Sequence, residues 1–239
     1  MKIVPRVARF LSGSGFGFLS RLWHRFAPSL PVKRTVFGFT VYYDFRDNPY
    51  YWVSSRRHLE TMERVFDPLQ RPPCAVWDVG SNVGLFSLRA AQLGHRVTAF
   101  DISPKAIALV EKSARANGFA VATVPRAFAV ESFRYEAPDS CRADNRLVIG
   151  LGANESITFQ EAAARYGAPA LIKMDIEGAE SGFLASREFH DWLTGNAATL
   201  ILELHGDQVI GPLWDDVPRA DMGDGHLMFT PRPVSRPKA

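Results

Sequence analysis

Acidic side chains stand at four points where a run of strand-forming residues ends. The runs end at Asp78, at Asp101, at Asp175 and at Glu203, with His205 two residues further on. In an open parallel sheet, ligands bind at the carboxyl ends of the strands. Carboxylates at that edge of an apolar sheet are costly unless they face water or a ligand. We therefore expect these side chains to converge on one binding site.

The turn after Asp78 is bracketed by Gly80 and Gly84, which enclose the residues Ser-Asn-Val. Glycine lets a backbone turn tightly and approach a ligand, and the N–H groups at the following helix start suit a carboxylate or another anion. Asp101 comes about twenty residues later, where a carboxylate accepts hydrogen bonds from ribose hydroxyls. Asp78 can meet the cationic amino group of an amino-acid cofactor, but it would repel a pyrophosphate.

Two other nucleotide-binding patterns do not fit this turn. No Gly-Lys-Ser/Thr follows it, which argues against a phosphate loop. The glycine spacing also differs from GxGxxG, which makes a nicotinamide dinucleotide a weaker candidate. A dehydrogenase that shares the βαβ turn, and a turn that binds no ligand, remain alternatives.

The elements that would position these residues alternate between strand and helix from residue 75 onward. Short apolar runs predict strands, and helical spacing with capping residues predicts helices. Alternation of the two implies parallel βαβ units. The predicted strands are residues 75–79, 96–100, 121–125, 171–175, 199–205 and 226–230, with a further one at 146–149, and the predicted helices are residues 85–93, 104–117, 158–166 and 179–189.

The fold class that follows is α/β, with a doubly wound, mainly parallel, Rossmann-like sheet and an N-terminal helical and β-hairpin extension. Residues 35–44 alternate as in a strand or hairpin, and residues 54–66 have helical spacing. We predict a basic amphipathic extension over residues 1–34, a hairpin and helix over 35–73, and the main domain over 74–232.

Charge is unevenly spread along the 239 residues. Residues 1–34 contain seven lysines and arginines and no acid, whereas acids outnumber bases in the rest. We expect peripheral membrane contact through residues 1–27 to be possible and nucleic acid not to be a partner. No apolar run reaches the length of a membrane span. We predict a cytoplasmic protein that can lie at the inner membrane face, and the sequence leaves its oligomeric state open.

Two motifs resemble a known family. Residues 78–84 (DVGSNVG) are similar to the DxGxNxG form of the class I methyltransferase loop. Residues 172–180 (IKMDIEGAE) resemble the K-[IM]-D-[IV]-E-G-x-E signature of the FkbM methyltransferase family, and residues 202–205 resemble its following strand. The resemblance covers about residues 75–206 and implies O-methylation that depends on S-adenosyl-L-methionine. The acceptor would be a small-molecule or glycan hydroxyl, typically of a sugar or polyketide.

The resemblance also implies roles for individual residues. The methionine part of the cofactor would be held by Asp78, Gly80, Asn82 and Gly84, and the ribose by Asp101. Ser81, Ile102 and Asp175 complete the predicted cofactor site. Glu177 and Glu180, together with Asp175, would border the reacting centre. The sequence departs from the family in having Asp101 where glutamate is more frequent, and in a short C-terminal part that shows no helix before the last strand.

Methylation of a hydroxyl needs a general base. Asp175 and His205 are the candidates, and Glu177 joins them in the predicted catalytic set. Each has a structural alternative: Asp175 as a helix cap, Glu177 as a complement to the helix dipole, and His205 as a strand-end residue. Asp175, Glu177, Glu203 and His205 are also of the types that bind a divalent metal, but their spacing does not require one, and we predict none. A non-catalytic methyltransferase fold that serves as a binding or scaffold module is the alternative function.

Overall fold

The computed structural model describes residue 23 and residues 25–48, 56–142, 148–150, 152–206 and 208–232. The prediction for residues 1–27 lies almost entirely outside these residues. Among the described residues, none of the helices has the length and apolar character needed to cross a membrane.

A seven-stranded sheet forms the centre of the fold, with five neighbouring parallel strands and two antiparallel strands at one edge. The strands of this sheet are β3 (Ala75–Val79), β4 (Arg96–Phe100), β5 (Val121–Val124), β11 (Leu171–Met174), β12 (Thr199–Glu203), β13 (Arg219–Gly223) and β14 (His226–Phe229). Their order is β13-β14-β12-β11-β3-β4-β5, so the chain changes direction across the sheet between β3 and β11. This arrangement confirms the predicted fold class.

Helices cover both faces of the sheet, as the nearly continuous burial along its central strands requires. Val76 and Phe86 belong to one buried apolar cluster, and Trp77 and Phe183 belong to another. The helices are α1 (Arg56–Phe66), α2 (Leu85–Gln92), α3 (Pro104–Asn117), α4 (Phe159–Tyr166), α5 (Glu180–Ala185) and α6 (Arg187–Gly195), and 3₁₀ turns lie at Asp67–Leu69 and Pro212–Trp214.

Local capping explains where two of the helices begin and end. Ser103 accepts the N–H of Ala106 at the start of α3, and Gly118 ends that helix with a φ of 68°. Thr158 and Glu161 form a capping box at the start of α4.

Residues 179–189 do not form the single helix that their spacing predicts. Ser186 is extended and caps α6, so the segment divides into α5 and α6.

Small strands and hairpins lie outside the parallel part of the sheet. An N-terminal hairpin pairs β1 (Pro31–Val36) with β2 (Phe39–Asp44), and its first strand begins four residues before the segment predicted to be a strand or hairpin. Between β12 and β14, the described residues contain a 3₁₀ turn and the unpredicted strand β13, but no α-helix. The small strands are β1 (Pro31–Val36), β2 (Phe39–Asp44), β6 (Phe128–Ala129), β7 (Arg134–Glu136), β8 (Val148–Ile149), β9 (Asn154–Glu155) and β10 (Ile157–Thr158).

Candidate cofactor and active site

An open pocket lies at the carboxyl ends of β3, β4 and β11, where the strand order reverses and doubly wound folds bind their ligands. It encloses about 740 Å³, including its mouth. Loops after three different strands thus contribute to one wall, as the strand-end acids predict. The predicted residues that line it are Gly80, Asn82, Asp101, Ile102, Asp175 and Glu177.

Asp101 connects the glycine-bracketed loop to the neighbouring strand. Its Oδ2 accepts the N–H of Asn82 at 2.8 Å, and its Oδ1 accepts the N–H of Ser103 at 2.8 Å. Burial raises the pKa of Asp101 to about 6, although these two N–H groups act in the opposite direction. The carboxylate is therefore fixed in direction and still has lone pairs free for a ligand that donates hydrogen bonds.

Gly80 allows two loops to meet at the floor of the pocket. Its φ is 74°, and a Cβ built on it would lie 1.7 Å from the carbonyl oxygen of Asp175. The N–H groups of Gly80 and Ser81 both donate to the carbonyl of Phe100, at 2.9 and 3.0 Å. No side chain fits at residue 80 unless the loops after β3 and β11 separate.

The structure places three predicted cofactor residues behind the pocket wall. Oδ2 of Asp78, which is fully buried, accepts both the N–H and the hydroxyl of Ser87 on α2, at 3.0 and 2.6 Å. A Cβ on Gly84 would lie 2.9 Å from a methyl group of Val110, so this glycine lets α2 approach α3. The Oγ of Ser81 is buried and has no hydrogen-bond partner among the described residues. Direct contact of these three residues with a cofactor stays a prediction.

Lys173 lies beneath the pocket, between two carboxylates. Its Nζ is 3.0 Å from Oδ2 of Asp175 and 3.8 Å from Oδ1 of Asp78, and it donates to the carbonyl of Gly80 at 3.2 Å. Burial alone would lower the pKa of Lys173, but the two carboxylates outweigh it and raise that pKa. Burial likewise disfavours the charged form of Asp175, yet Lys173 and His205 lower its pKa. Asp175 is therefore an ionised, paired carboxylate.

Glu180 organises the loop between β11 and α5. Its carboxylate is fully buried and accepts the N–H groups of Ile176 at 2.7 Å and Gly178 at 2.8 Å. The same carboxylate lies 3.1 Å from Nδ1 of His205 and accepts a hydrogen bond from Gln208 at 3.0 Å. It therefore fixes both the loop and the ring of the histidine.

His205 does not line the pocket itself, but it contacts residues that do. Its Nε2 lies 3.6 Å from Oδ1 of Asp175 and 3.6 Å from Oε2 of Glu177. Glu177 has a φ of 53°, an uncommon backbone conformation for a side chain of this size. Burial raises the pKa of Glu177, nearby acids add to this effect, and His205 opposes it. The three predicted catalytic residues thus form one cluster.

Asp175, Glu203 and His205 each place one possible metal-ligand atom within 4.8 Å of the others. Both carboxylates already have cationic or titratable partners: Lys173 pairs with Asp175, and Nε2 of His226 lies 3.2 Å from Oε2 of Glu203. Burial would lower the pKa of His226, but Glu203 raises it. The absence of a metal stays a prediction.

The predicted site omits several residues that line the pocket. The omitted lining residues include Arg126, Cys141 and Arg142. Asn48 donates a hydrogen bond to the carbonyl of Cys141. The three pocket-lining residues belong to loops without a strand-end acid or a glycine pattern, so nothing in their local sequence singles them out. Their contacts depend on segments that are far apart in the chain.

Comparisons with known proteins agree with this geometry. Residues 77–137 match the family model of a methyltransferase domain. The T. thermophilus 16S rRNA N2 G1207 methyltransferase (RsmC), solved with AdoMet and guanosine, is similar with 13% identity and a TM-score of 0.52, over 86% of this chain and 51% of that chain. This chain therefore spans about half the length of that protein.

The ribosomal protein L11 methylase from Lactobacillus delbrueckii subsp. bulgaricus is also similar, with 17% identity and a TM-score of 0.43, over 72% of this chain and 77% of that chain. A search among curated proteins gave no match. The strand order, the matched segment and the likeness to RsmC identify the fold. This chain has the fold of the class I S-adenosylmethionine-dependent methyltransferases.

Proposed function

We propose that this chain is an S-adenosylmethionine-dependent methyltransferase that acts on a hydroxyl of a sugar or related group, on a glycan, glycolipid or secondary metabolite. The observation that carries the proposal is the 2.8 Å hydrogen bond from the N–H of Asn82 to Asp101. It joins the glycine-bracketed loop and the acid of the next strand into one unit at an open pocket. A nucleoside that carries an amino acid would contact the acid with its ribose and the loop with its amino-acid part.

The pocket residues fit this cofactor in their chemistry. Asp101 would accept hydrogen bonds from the ribose hydroxyls. The methionine part would be held by Gly80 and Asn82. The adenine would be contacted by Ile102 and Phe128. When bound, S-adenosylmethionine supplies a methyl group on a positively charged sulfur. The residues of the chain bind it and orient the acceptor.

His205 is the favoured general base. Because the buried carboxylate of Glu180 accepts a hydrogen bond from Nδ1, the proton of the neutral ring resides there, and Nε2 can take up a second one. The carboxylates of Asp175 and Glu177, each 3.6 Å from Nε2, would stabilise the resulting imidazolium. Asp175 is the weaker candidate, since its pairing with Lys173 lowers its pKa.

The resemblance to the FkbM signature supports a sugar or polyketide hydroxyl as the acceptor. The acidic balance of residues outside 1–34 supports the exclusion of nucleic acid as a substrate. A cytoplasmic location, with peripheral membrane contact through residues 1–27, remains part of the proposal.

Calorimetry with S-adenosylhomocysteine tests the cofactor, and transfer of labelled methyl groups to a panel of hydroxylated glycans tests the reaction. We expect binding and a labelled glycan. No binding by the folded protein would refute the proposal. Binding without any methylated product would favour the alternative, a methyltransferase fold that serves as a binding module.

The variant His205→Gln tests the base. Loss of a general base commonly costs about 10²–10⁴-fold in rate. We expect methyl transfer to fall by at least about 100-fold while the affinity for S-adenosylhomocysteine stays within about twofold. The matched control is His190→Gln on α6, which alters a second histidine with a carboxylate neighbour, Asp191 at 3.0 Å. Equal rates for the two variants would contradict the assignment.

A further inference from the structure

A turn of buried polar residues begins at the last residue of β2 and lies directly behind the pocket. Asp44, Asp47 and Asn48 are 2%, 4% and 0% exposed. Buried polar groups are costly unless they are hydrogen-bonded. The bonds that these three make therefore show what the turn holds in place.

Asn48 uses both ends of its side-chain amide. Oδ1 accepts the N–H of Asp44 at 3.0 Å and lies 3.3 Å from Sγ of Cys141. Nδ2 donates to the carbonyl of Cys141 at 2.8 Å and lies 3.5 Å from Oδ1 of Asn82. Cys141 and Asn82 both line the pocket, so one amide contacts two of its walls.

Asp47 adds a second connection to the same wall. Its Oδ2 accepts the N–H of Cys141 at 3.2 Å and pairs with Lys105 of α3 at 2.5 Å. Lys105 also lies 3.0 Å from Oδ2 of Asp44. The turn is thus fixed to the helix that follows Asp101, and the position of Asn48 is fixed with it.

Asn82 links this turn to the cofactor loop. Its φ of 48° is uncommon for a residue with a side chain, and its N–H donates to Asp101 at 2.8 Å. The backbone of Asn82 therefore holds the predicted ribose acid, and its side chain meets Asn48. A displacement of Asn48 would therefore be transmitted to Asp101 through Asn82.

The geometry points to Asn48 as a positioning residue of the cofactor pocket. Its amide sets the separation between the cofactor loop at Asn82 and the pocket wall at Cys141, so the N-terminal hairpin completes the site. The amide supplies the acceptor for Asp44 and the donor for Cys141 on two separate atoms. This inference rests on the proposed function, because it concerns the same pocket.

Calorimetry with S-adenosylhomocysteine on full-length variants tests the role. Loss of this buried amide in Asn48→Ala should weaken binding by about tenfold or more. Asn48→Asp, which keeps the size and the acceptor but loses the donor, should weaken it similarly. The matched control is Asn117→Ala on α3, since Asn117 also bonds the hairpin, through the N–H and carbonyl of Thr40 at 2.8 and 2.7 Å, away from the pocket.

We expect Asn117→Ala to lower the melting temperature and to leave the affinity within about twofold. Wild-type affinity in the Asn48 variants, or equal weakening in Asn48→Ala and Asn117→Ala, would overturn the inference. Absence of binding by the unmodified chain would instead refute the proposed function.

Hydrogen exchange on the unmodified chain decides the question if the Asn48 variants do not fold. Saturating S-adenosylhomocysteine should slow amide exchange in residues 44–48 as well as in residues 80–84. Slower exchange in residues 80–84 with an unchanged exchange rate in residues 44–48 would overturn the role of Asn48.

Discussion

At the scale of single residues, the carboxyl of Asp101 combines two requirements that oppose each other. It accepts hydrogen bonds from Asn82, Ser103 and a ligand most strongly when it is ionised, yet burial raises its pKa to about 6. Because this value lies above the unfolded one, near 3.8, the folded chain gains stability from Asp101 protonation as pH falls from about 6 to about 4. A ligand that donates hydrogen bonds favours the ionised form instead.

Cofactor affinity should therefore fall as pH drops below about 6. Asp101→Asn should weaken binding of S-adenosylhomocysteine by about tenfold or more at pH 7.5 and remove most of the pH dependence. Calorimetry at pH 5, 6 and 7.5 measures both effects. The control is Asp221→Asn, because Asp221 also accepts a backbone N–H, that of Gly223, but lies on β13. An affinity of the unmodified chain that is constant over this range would contradict the prediction.

At the scale of elements, the loops after β3 and β11 form the pocket floor by direct backbone contact. The contact is possible because Gly80 has no Cβ. Lys173 connects the two loops, because it donates hydrogen bonds to the carbonyl of Gly80 and to the carboxylate of Asp175. The loop after β11 is in turn closed by Glu180. The relative position of the two strand ends thus depends on a few contacts.

Gly80→Ala should lower the free energy of unfolding far more than the addition of one methyl group suggests. The new Cβ would meet the carbonyl of Asp175, so we expect a loss of about 3 kcal/mol or more in the free energy of unfolding, and no measurable cofactor binding. Gly118→Ala is the control, since Gly118 also has a positive φ, 68°, but among the described residues its added Cβ would meet no atom within 4 Å beyond its neighbours in the chain and the backbone of its own helix. It should cost about 1 kcal/mol and leave binding unchanged. Denaturant unfolding and calorimetry on both variants check this, and equal losses would contradict it.

At the scale of the whole molecule, a buried ionic network attaches the N-terminal hairpin to the α/β core. Asp47 is its centre, with partners Arg46, Lys105 and Cys141. Burial alone would raise the pKa of Asp47, but these partners lower it to about 2. An acid with a lowered pKa stabilises the folded state above its unfolded value, near 3.8, and loses this contribution as pH falls toward 2.

Asp47→Asn should therefore destabilise the chain by about 2 kcal/mol at pH 7, and the difference from the unmodified chain should shrink below about pH 4. Denaturant unfolding between pH 3 and 7 measures it. Asp191→Asn serves as the comparison, because this carboxyl is largely exposed and should change stability little at any pH. A constant difference between Asp47→Asn and the unmodified chain over the whole range would argue against the role of ionisation.

Several parts of the fold could be predicted because their signals are local. Ser103 before Pro104 and Gly118 after the helix mark both ends of α3, and the structure has both caps. The strand β13 gives a weaker signal, yet it precedes an Asp224–Gly225 turn with positive φ at both residues, a typical hairpin sequence. The break at Ser186 has no clear local signal, because a serine can either continue a helix or cap the next one.

The sequence by itself determined that the strand-end acids meet at one edge, because parallel strands run in one direction and side chains alternate along them. It could not decide which acids face the pocket. The tertiary structure turned Asp78 toward α2, buried Glu180 beneath its own loop, and brought Asn48 to Cys141 across 93 residues. Such contacts form only when distant segments pack, so their geometry depends on the whole folded chain rather than on any local pattern.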